Sequence, residues 1–358
     1  MSKRRIAVTG LAINTPLADG LDAFLEKLLA GASSITRWRA FADDPIYSKV
    51  GGDLTAYDPK AKLDALKSEI PDEVYGRLRQ FVRRAPWSTK LSTLVATDAW
   101  RDAGLADADL DSGRFSVVVG GHNLNSRYTR ANNEVFDDEP DYIDAMFALQ
   151  SLDTDHAGSV SEVLQAKGPI YTVGSACASA NTALRCAVDE IRHHGNKAAM
   201  VVGPALDFSP VDLHAMALMG AIGFQSFNDE PERASRPYDQ RREGFIPAHG
   251  AAALVIEDMA FAEARGARIY AEVLGVEARS DGNHLPNPSA EGQAATMRAA
   301  LDACGVTPEQ IGFVSAHATS TPLGDVTEVR SIRSVFGPHA KNLKINAPKS
   351  MLGHTCWS

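Results

Sequence analysis

Apolar and polar positions fall in blocks along the chain, each the length of one secondary-structure element. RRIAVTGLAI (4–13) is an apolar run that predicts a buried strand entering a glycine turn, and LDAFLEKLLAG (21–31) has apolar residues at helical spacing before a glycine stop. STLVATDAWRDAGL (92–105) predicts a second amphipathic helix, and FSVVVGG (115–121) a β-rich run ending in paired glycines. Strand-length apolar runs recur at IYTV (170–173), AAMVVGPAL (198–206) and GAAALVIE (250–257). RIYAEVLGVEAR (268–279) predicts a strand, AEGQAATMRAALDACGV (290–306) a long helix, and IGFVSAHA (311–318) and NLKINAP (342–348) two more strands. This alternation predicts an α/β fold with substantially parallel sheets, whose chemistry sits on loops beyond the strands' carboxyl ends. The acidic run NEVFDDEPDYID (133–144) predicts a solvated loop, and DEPERASRPYDQRREGF (229–245) a long ordered one.

Composition narrows the function. At 358 residues with 44% apolar and 23% charged positions, the chain can bury a large core in two domains or in one domain of two halves. A net charge of −9 argues against a nucleic-acid partner. Four cysteines without C-x-x-C spacing (Cys177, Cys186, Cys304, Cys356) give no reason to expect zinc or a disulfide framework. The N-terminal apolar runs are shorter than a secretory signal requires, and none approaches the roughly 20 residues of a membrane span, so a cytoplasmic protein is expected.

The candidate chemistry starts in YTVGSACASANTALRCAVDEIRHHG (171–195). Gly174-Ser175-Ala176 permits a sharp turn, and Leu184, Ala187 and Ile191 share one helical face. Cys177 is therefore expected at a helix N-terminus, where free amides and the helix dipole favour thiolate and can hold an oxyanion. His193 and His194 read as cations closing the helix rather than as catalysts. SAHATSTPLGD (315–325) places His317 after a strand with Thr319 and Thr321 in the following turn; INAPKSMLGHT (345–355) does the same for Lys349 and His354. An activated thiol with two histidines suits acyl-thioester chemistry. It also suits a cysteine thioester hydrolase, although no clear triad order is present. Without local ligand spacing, no metal site is expected.

Seven motifs in order resemble those of the β-ketoacyl synthases, the condensing enzymes of fatty-acid and polyketide assembly: VTGLAINTP, KGPIYTVGSACASA, ASRPYDQRREGF, RIYAEVLG, SDGNHLPNPS, HATSTPLGD and KSMLGHT. The resemblance implies a thiolase-like, five-layered αβαβα fold of two similar halves, 1–260 carrying the cysteine and 261–358 carrying the histidine and lysine loops. It implies Cys177 as nucleophile and His317 and His354 as donors to the malonyl thioester carbonyl. Lys349 is implied beside them, either in the chemistry or as a loop-bracing ion pair. Thr319 and Thr321 are implied on the phosphopantetheine arm, with turn capping as the competing role, and His284 reads as structural. No resident cofactor or metal is implied, because substrates arrive on the phosphopantetheine of an acyl carrier protein. The implied assembly is a homodimer or a ketosynthase-like heterodimer. Arg77, Arg79, Arg83 and Arg84 in GRLRQFVRRAP (76–86) are candidates for docking the acidic carrier.

Three departures from the family pattern qualify these expectations. The family continues for several tens of residues past GHTCWS, with an acidic partner for the lysine and a glycine- and phenylalanine-rich gating loop. The C-terminal half is accordingly expected to be incomplete and weakly stable. REGFIPAHGAA has Ala248 and His249 where the family usually has glycine and glutamate, so His249 either fills the core or adjusts the acyl pocket. PALDFSPVDLHAMALMGAIGF and the Cys356-Trp357 pair look more like stand-alone polyketide-type ketosynthases. That leaves a decarboxylase or a non-catalytic chain-length partner as alternatives to a condensing enzyme.

Overall fold

A computed structural model describes residues 4–283 and 287–357; His284 lies outside the described residues. Among the described residues ten strands run in chain order: β1 (Ile6–Asn14), β2 (Ile35–Arg37), β3 (Val50–Gly52), β4 (Phe115–Gly120), β5 (Ile170–Val173), β6 (Ala198–Gly203), β7 (Ala251–Asp258), β8 (Ala271–Glu272), β9 (Phe313–Ser315) and β10 (Lys344–Asn346). Six form one sheet in the order β5-β4-β6-β7-β1-β8. β4 pairs in parallel with β5 and β6, whereas the β6–β7, β7–β1 and β1–β8 pairings are antiparallel. The sheet is therefore mixed, which corrects the largely parallel expectation. The cause is the long connection 204–250, which returns the chain to the sheet in the opposite direction.

Period-two burial explains the layers. Val117 and Val119 of β4 face the core formed with the helix Trp87–Asp102. Val118 points the other way, into a cluster with Ala183, Ala187 and Ile191 of the helix Ser179–Arg192. Each such aliphatic side chain, fully buried, contributes about 1.5–3 kcal/mol. The helix Trp87–Asp102 is not amphipathic as expected; it is buried on nearly every side. Its hydroxyls are satisfied internally: Thr93 donates to the Thr89 carbonyl, Thr97 to the Thr93 carbonyl, and Ser92 bonds His156. A polar stripe in sequence is here a set of hydroxyls bonded to their own helix or to the packed neighbours His156 and Ala205.

Two other elements differ from expectation. The 268–279 segment contributes only the two-residue β8, and Arg192 rather than a strand takes the carbonyls of Val273 and Leu274. The acidic run begins within the helix Ser126–Asp138, although it is exposed as expected. In the C-terminal region β9 and β10 pair in parallel, and the helices Ala290–Cys304 and Pro322–Phe336 pack on each other. Among the described residues no helix is long and apolar enough to cross a membrane, and the four cysteines are free.

Candidate active site

Cys177 stands on a tight turn between β5 and the helix Ser179–Arg192. The residue before it, Ala176, has φ +47°, a left-handed conformation that costs a non-glycine residue roughly 1–2 kcal/mol. Ser179 braces the turn, accepting the Ser175 N–H at 2.9 Å and donating its hydroxyl to the Ala176 carbonyl at 2.7 Å. The close approach of β4 fixes the helix behind it: a Cβ on Gly120 would lie 2.5 Å from the Ser179 carbonyl oxygen.

The expected helix-terminus activation is largely absent. The amides of Ala178, Ser179 and Ala180 are already bonded, to the carbonyls of Ser175, Ala176 and Trp357. Cys177 keeps an exposed surface, but the protein crowded around its other sides raises its thiol above the ordinary value of 9.0. Lys349 and the Cys177 amide pull the other way. The resting group is a thiol that needs local help.

That help comes from His354, whose Nε2 lies 3.2 Å from the Cys177 sulfur. Its Nδ1 accepts the Cys356 N–H at 3.1 Å. Burial, then Lys349 and His317, hold the ring well below 6.5, so it is neutral and carries its proton on Nε2. The proton faces the sulfur, making His354 a hydrogen-bond donor there rather than a metal ligand. The His317 ring stands perpendicular to that of His354, with centroids 5.5 Å apart, and burial followed by Lys349 also lowers its pKa. The sulfur and one nitrogen from each ring lie within 4.8 Å of one another, a spacing in which a carbonyl oxygen can be reached by all three. Phe245 packs edge-on against His354 at 5.1 Å.

Glu328 is the residue the sequence reading missed. Its carboxylate accepts the amides of His317 (2.6 Å) and Ala318 (2.9 Å) and the Tyr238 hydroxyl (3.0 Å). It also holds the charge of Lys349, whose pKa burial would otherwise lower further. An acidic group acting on the lysine therefore lies within this chain, on the helix Pro322–Phe336. An acid on a helix carries no signal of this kind in sequence, because its contacts form only when the helix Pro322–Phe336 packs back on the His317 turn.

The 229–245 loop braces both histidine turns. Ser235 donates to the Lys349 carbonyl at 2.6 Å, and Ser320 accepts the Arg236 amide at 3.0 Å. Asp325 accepts the Tyr238 amide at 2.7 Å, and Arg242 donates to the carbonyls of Thr321 and Pro322. The Thr319 and Thr321 hydroxyls lie 3.0 Å apart, and Thr321 makes no side-chain cap to the helix it precedes. The arginine helix Asp72–Arg84 packs elsewhere, on the helices Pro59–Leu66, Trp87–Asp102 and Thr154–Leu164. Arg79, Arg83 and Arg84 are exposed, while Arg77 is diverted to the Val163 carbonyl at 3.0 Å. A cavity of about 560 Å³ lined by Asn123, Arg130, Asp153 and Ser209, among others, shares no residue with the cysteine–histidine cluster. The cluster's chemistry, not that cavity, marks the site.

Comparison with known proteins agrees with this geometry. The family description "Beta-ketoacyl synthase, N-terminal domain" matches residues 3–262, and "Beta-ketoacyl synthase, C-terminal domain" matches 270–357. The chain is 31% identical over 357 residues to 3-oxoacyl-[acyl-carrier-protein] synthase 2 of Coxiella burnetii, covering 99% of this chain and 82% of that protein. It is 30% identical to the polyketide biosynthesis malonyl-ACP decarboxylase PksF of Bacillus subtilis, covering 98% and 80%. Among solved structures, the ishigamide ketosynthase/chain length factor superposes with a TM-score of 0.85 at 27% identity, covering 99% of this chain and 82% of the other. A beta-ketoacyl synthase from Burkholderia phymatum gives the same score and identity, with 98% and 82% covered. With its thiol, paired imidazoles and lysine set in an α/β fold shared with these proteins, the chain belongs to the beta-ketoacyl synthase family.

Proposed function

We propose that this chain is a β-ketoacyl-[acyl-carrier-protein] synthase that extends an acyl chain by decarboxylative condensation. The Cys177 sulfur attacks the thioester carbonyl of an acyl carrier, forming an acyl-cysteine and releasing the carrier thiol. A malonyl carrier then enters, its thioester oxygen facing the two imidazoles. Loss of carbon dioxide leaves an enolate whose oxygen accepts hydrogen bonds from His317 and His354. The carbanion attacks the acyl-cysteine carbonyl, a carbon–carbon bond forms, and the Cys177 thiolate departs. One donor aimed at such an oxyanion is worth about 2.7–4 kcal/mol.

The observation that carries this reading is the His354 Nε2–H facing the Cys177 sulfur at 3.2 Å, with His317 beside it. The alternative, a malonyl-carrier decarboxylase, has support from the relative of that name. A cysteine held within reach of the imidazole, on a turn stabilised by Ser179, favours condensation, because decarboxylation alone needs no nucleophile. In the same reading, Thr319 and Thr321 hold the phosphopantetheine arm, and Arg79, Arg83 and Arg84 receive the acidic carrier. The layered plan has two similar halves, 1–260 and 261–358, meeting at the site, and the protein works as a homodimer or with a ketosynthase-like partner.

The test is product analysis with acyl carrier and malonyl carrier supplied together. A β-ketoacyl carrier should form, and Cys177→Ala should abolish it. Acetyl carrier as the sole product, unchanged in Cys177→Ala, would establish the decarboxylase instead.

A further inference from the structure

We infer that His249 is a positioning residue for His354, an assignment that rests on the condensing-enzyme reading above. Residues 246–249 are sandwiched between two other segments, 52–54 and 353–355. Toward the first, the Gly52 N–H donates to the Pro247 carbonyl (3.0 Å) and the His249 N–H to the Gly52 carbonyl (2.8 Å). Toward the second, the His354 N–H donates to the Ile246 carbonyl (2.7 Å) and the Ala248 N–H to the His354 carbonyl (2.9 Å). Both backbone hydrogen-bonding groups of His354 are thus held by the segment that ends in His249.

The imidazole of His249 pins that segment from its far side. Its Nδ1 accepts the Leu54 N–H at 3.1 Å, adding a side-chain tie to the two main-chain ones. Trp87, Trp38 and Phe208 surround the ring, with centroids 4.9, 5.4 and 5.4 Å away. The residue is fully buried, and that burial takes its pKa down to about 3, so the ring is neutral. Asp53 stands 3.9 Å from Nδ1, but its carboxylate is engaged by the Arg39 and Thr55 amides and the Thr55 hydroxyl; the charge of Arg127 further opposes protonation.

With Nδ1 accepting, the proton sits on Nε2, which is buried without a hydrogen-bond partner. An apolar side chain of similar volume would fill the cage without that unpaired donor. The bond at Nδ1 is what such a side chain could not supply. Two glycines leave no slack along the route to the active site. A Cβ on Gly52 would come within 2.6 Å of the Ala248 Cβ, and one on Gly353 within 2.8 Å of the Ile246 oxygen. A shift of 246–249 is passed directly to His354.

The test compares His249→Leu with His249→Asn, whose amide oxygen can replace Nδ1 as the acceptor for Leu54. Two quantities are read on folded protein, checked by circular dichroism: the pH midpoint of Cys177 alkylation by iodoacetamide, followed by peptide mass, and kcat and KM for malonyl carrier. In His249→Leu the thiolate loses a well-placed donor, so the midpoint should rise by about one pH unit. kcat should fall about tenfold with KM little changed, and His249→Asn should restore both. His249→Phe, closer in shape to the native ring, serves if the leucine variant does not fold. A wild-type midpoint and kcat in the apolar variants, or asparagine failing as badly as leucine, would overturn the assignment. A wild-type protein that neither loads Cys177 nor condenses would instead defeat the function it rests on.

Discussion

Lys349 biases the titration of three neighbours, the cysteine and both histidines. Its positive charge lowers the pKa of Cys177, His317 and His354 together. For the cysteine this opposes burial by favouring thiolate; for the histidines it adds to burial by favouring the neutral rings. Lys349→Ala therefore raises the Cys177 pKa further above 9.0. At pH 8 the variant should be alkylated by iodoacetamide several-fold more slowly than wild type, since less thiolate is present. Faster alkylation would mean that the lysine does not act on the sulfur as described. Both histidine pKa values lie below 6.5, so acid loss of condensation is expected only below that pH.

The contact between β4 and the cysteine helix is the packing feature on which the position of Cys177 depends. On Gly120 a Cβ would meet backbone, the Ser179 carbonyl carbon at 2.7 Å and the Ala180 Cα at 2.8 Å, so neither neighbour can turn aside. Gly120→Ala should push the helix away from the sheet at a cost of about 1–3 kcal/mol. Its melting temperature and condensation rate should fall together; a variant matching wild type in both would refute the contact. Most strands of the central sheet and the cysteine helix were legible because their apolar periodicity is strong and local, whereas the 268–279 run kept only the two residues of β8. Strand direction was not, because it depends on the 204–250 excursion. The helix Trp87–Asp102 looked half-solvated because Thr93 and Thr97 hide their hydroxyls against their own backbone. In the site, Cys177, His317, His354 and Lys349 were legible as motif residues, and the structure brings them together. Glu328 lay outside every motif, and Ser235 and Tyr238 stood in ASRPYDQRREGF without a readable role, since the roles of all three exist only once the 229–245 loop folds onto both histidine turns.

The whole chain carries a net charge of −9, yet the helix Asp72–Arg84 presents Arg79, Arg83 and Arg84 to solvent. That contrast favours an acidic carrier arriving at one face of an otherwise acidic protein. The cysteine comes from one region of sequence and the histidines and lysine from another more than 130 residues on, so the cysteine–histidine cluster exists only in the folded molecule. The central claim is that Cys177 accepts an acyl group and holds it beside two neutral imidazoles. Intact-protein mass spectrometry after incubation with a panel of acyl carriers tests it most directly. The expected result is one added acyl mass, mapped to Cys177 and absent from Cys177→Ala. A protein whose mass is unchanged by every acyl carrier, or one acylated equally well after Cys177 is removed, would contradict it.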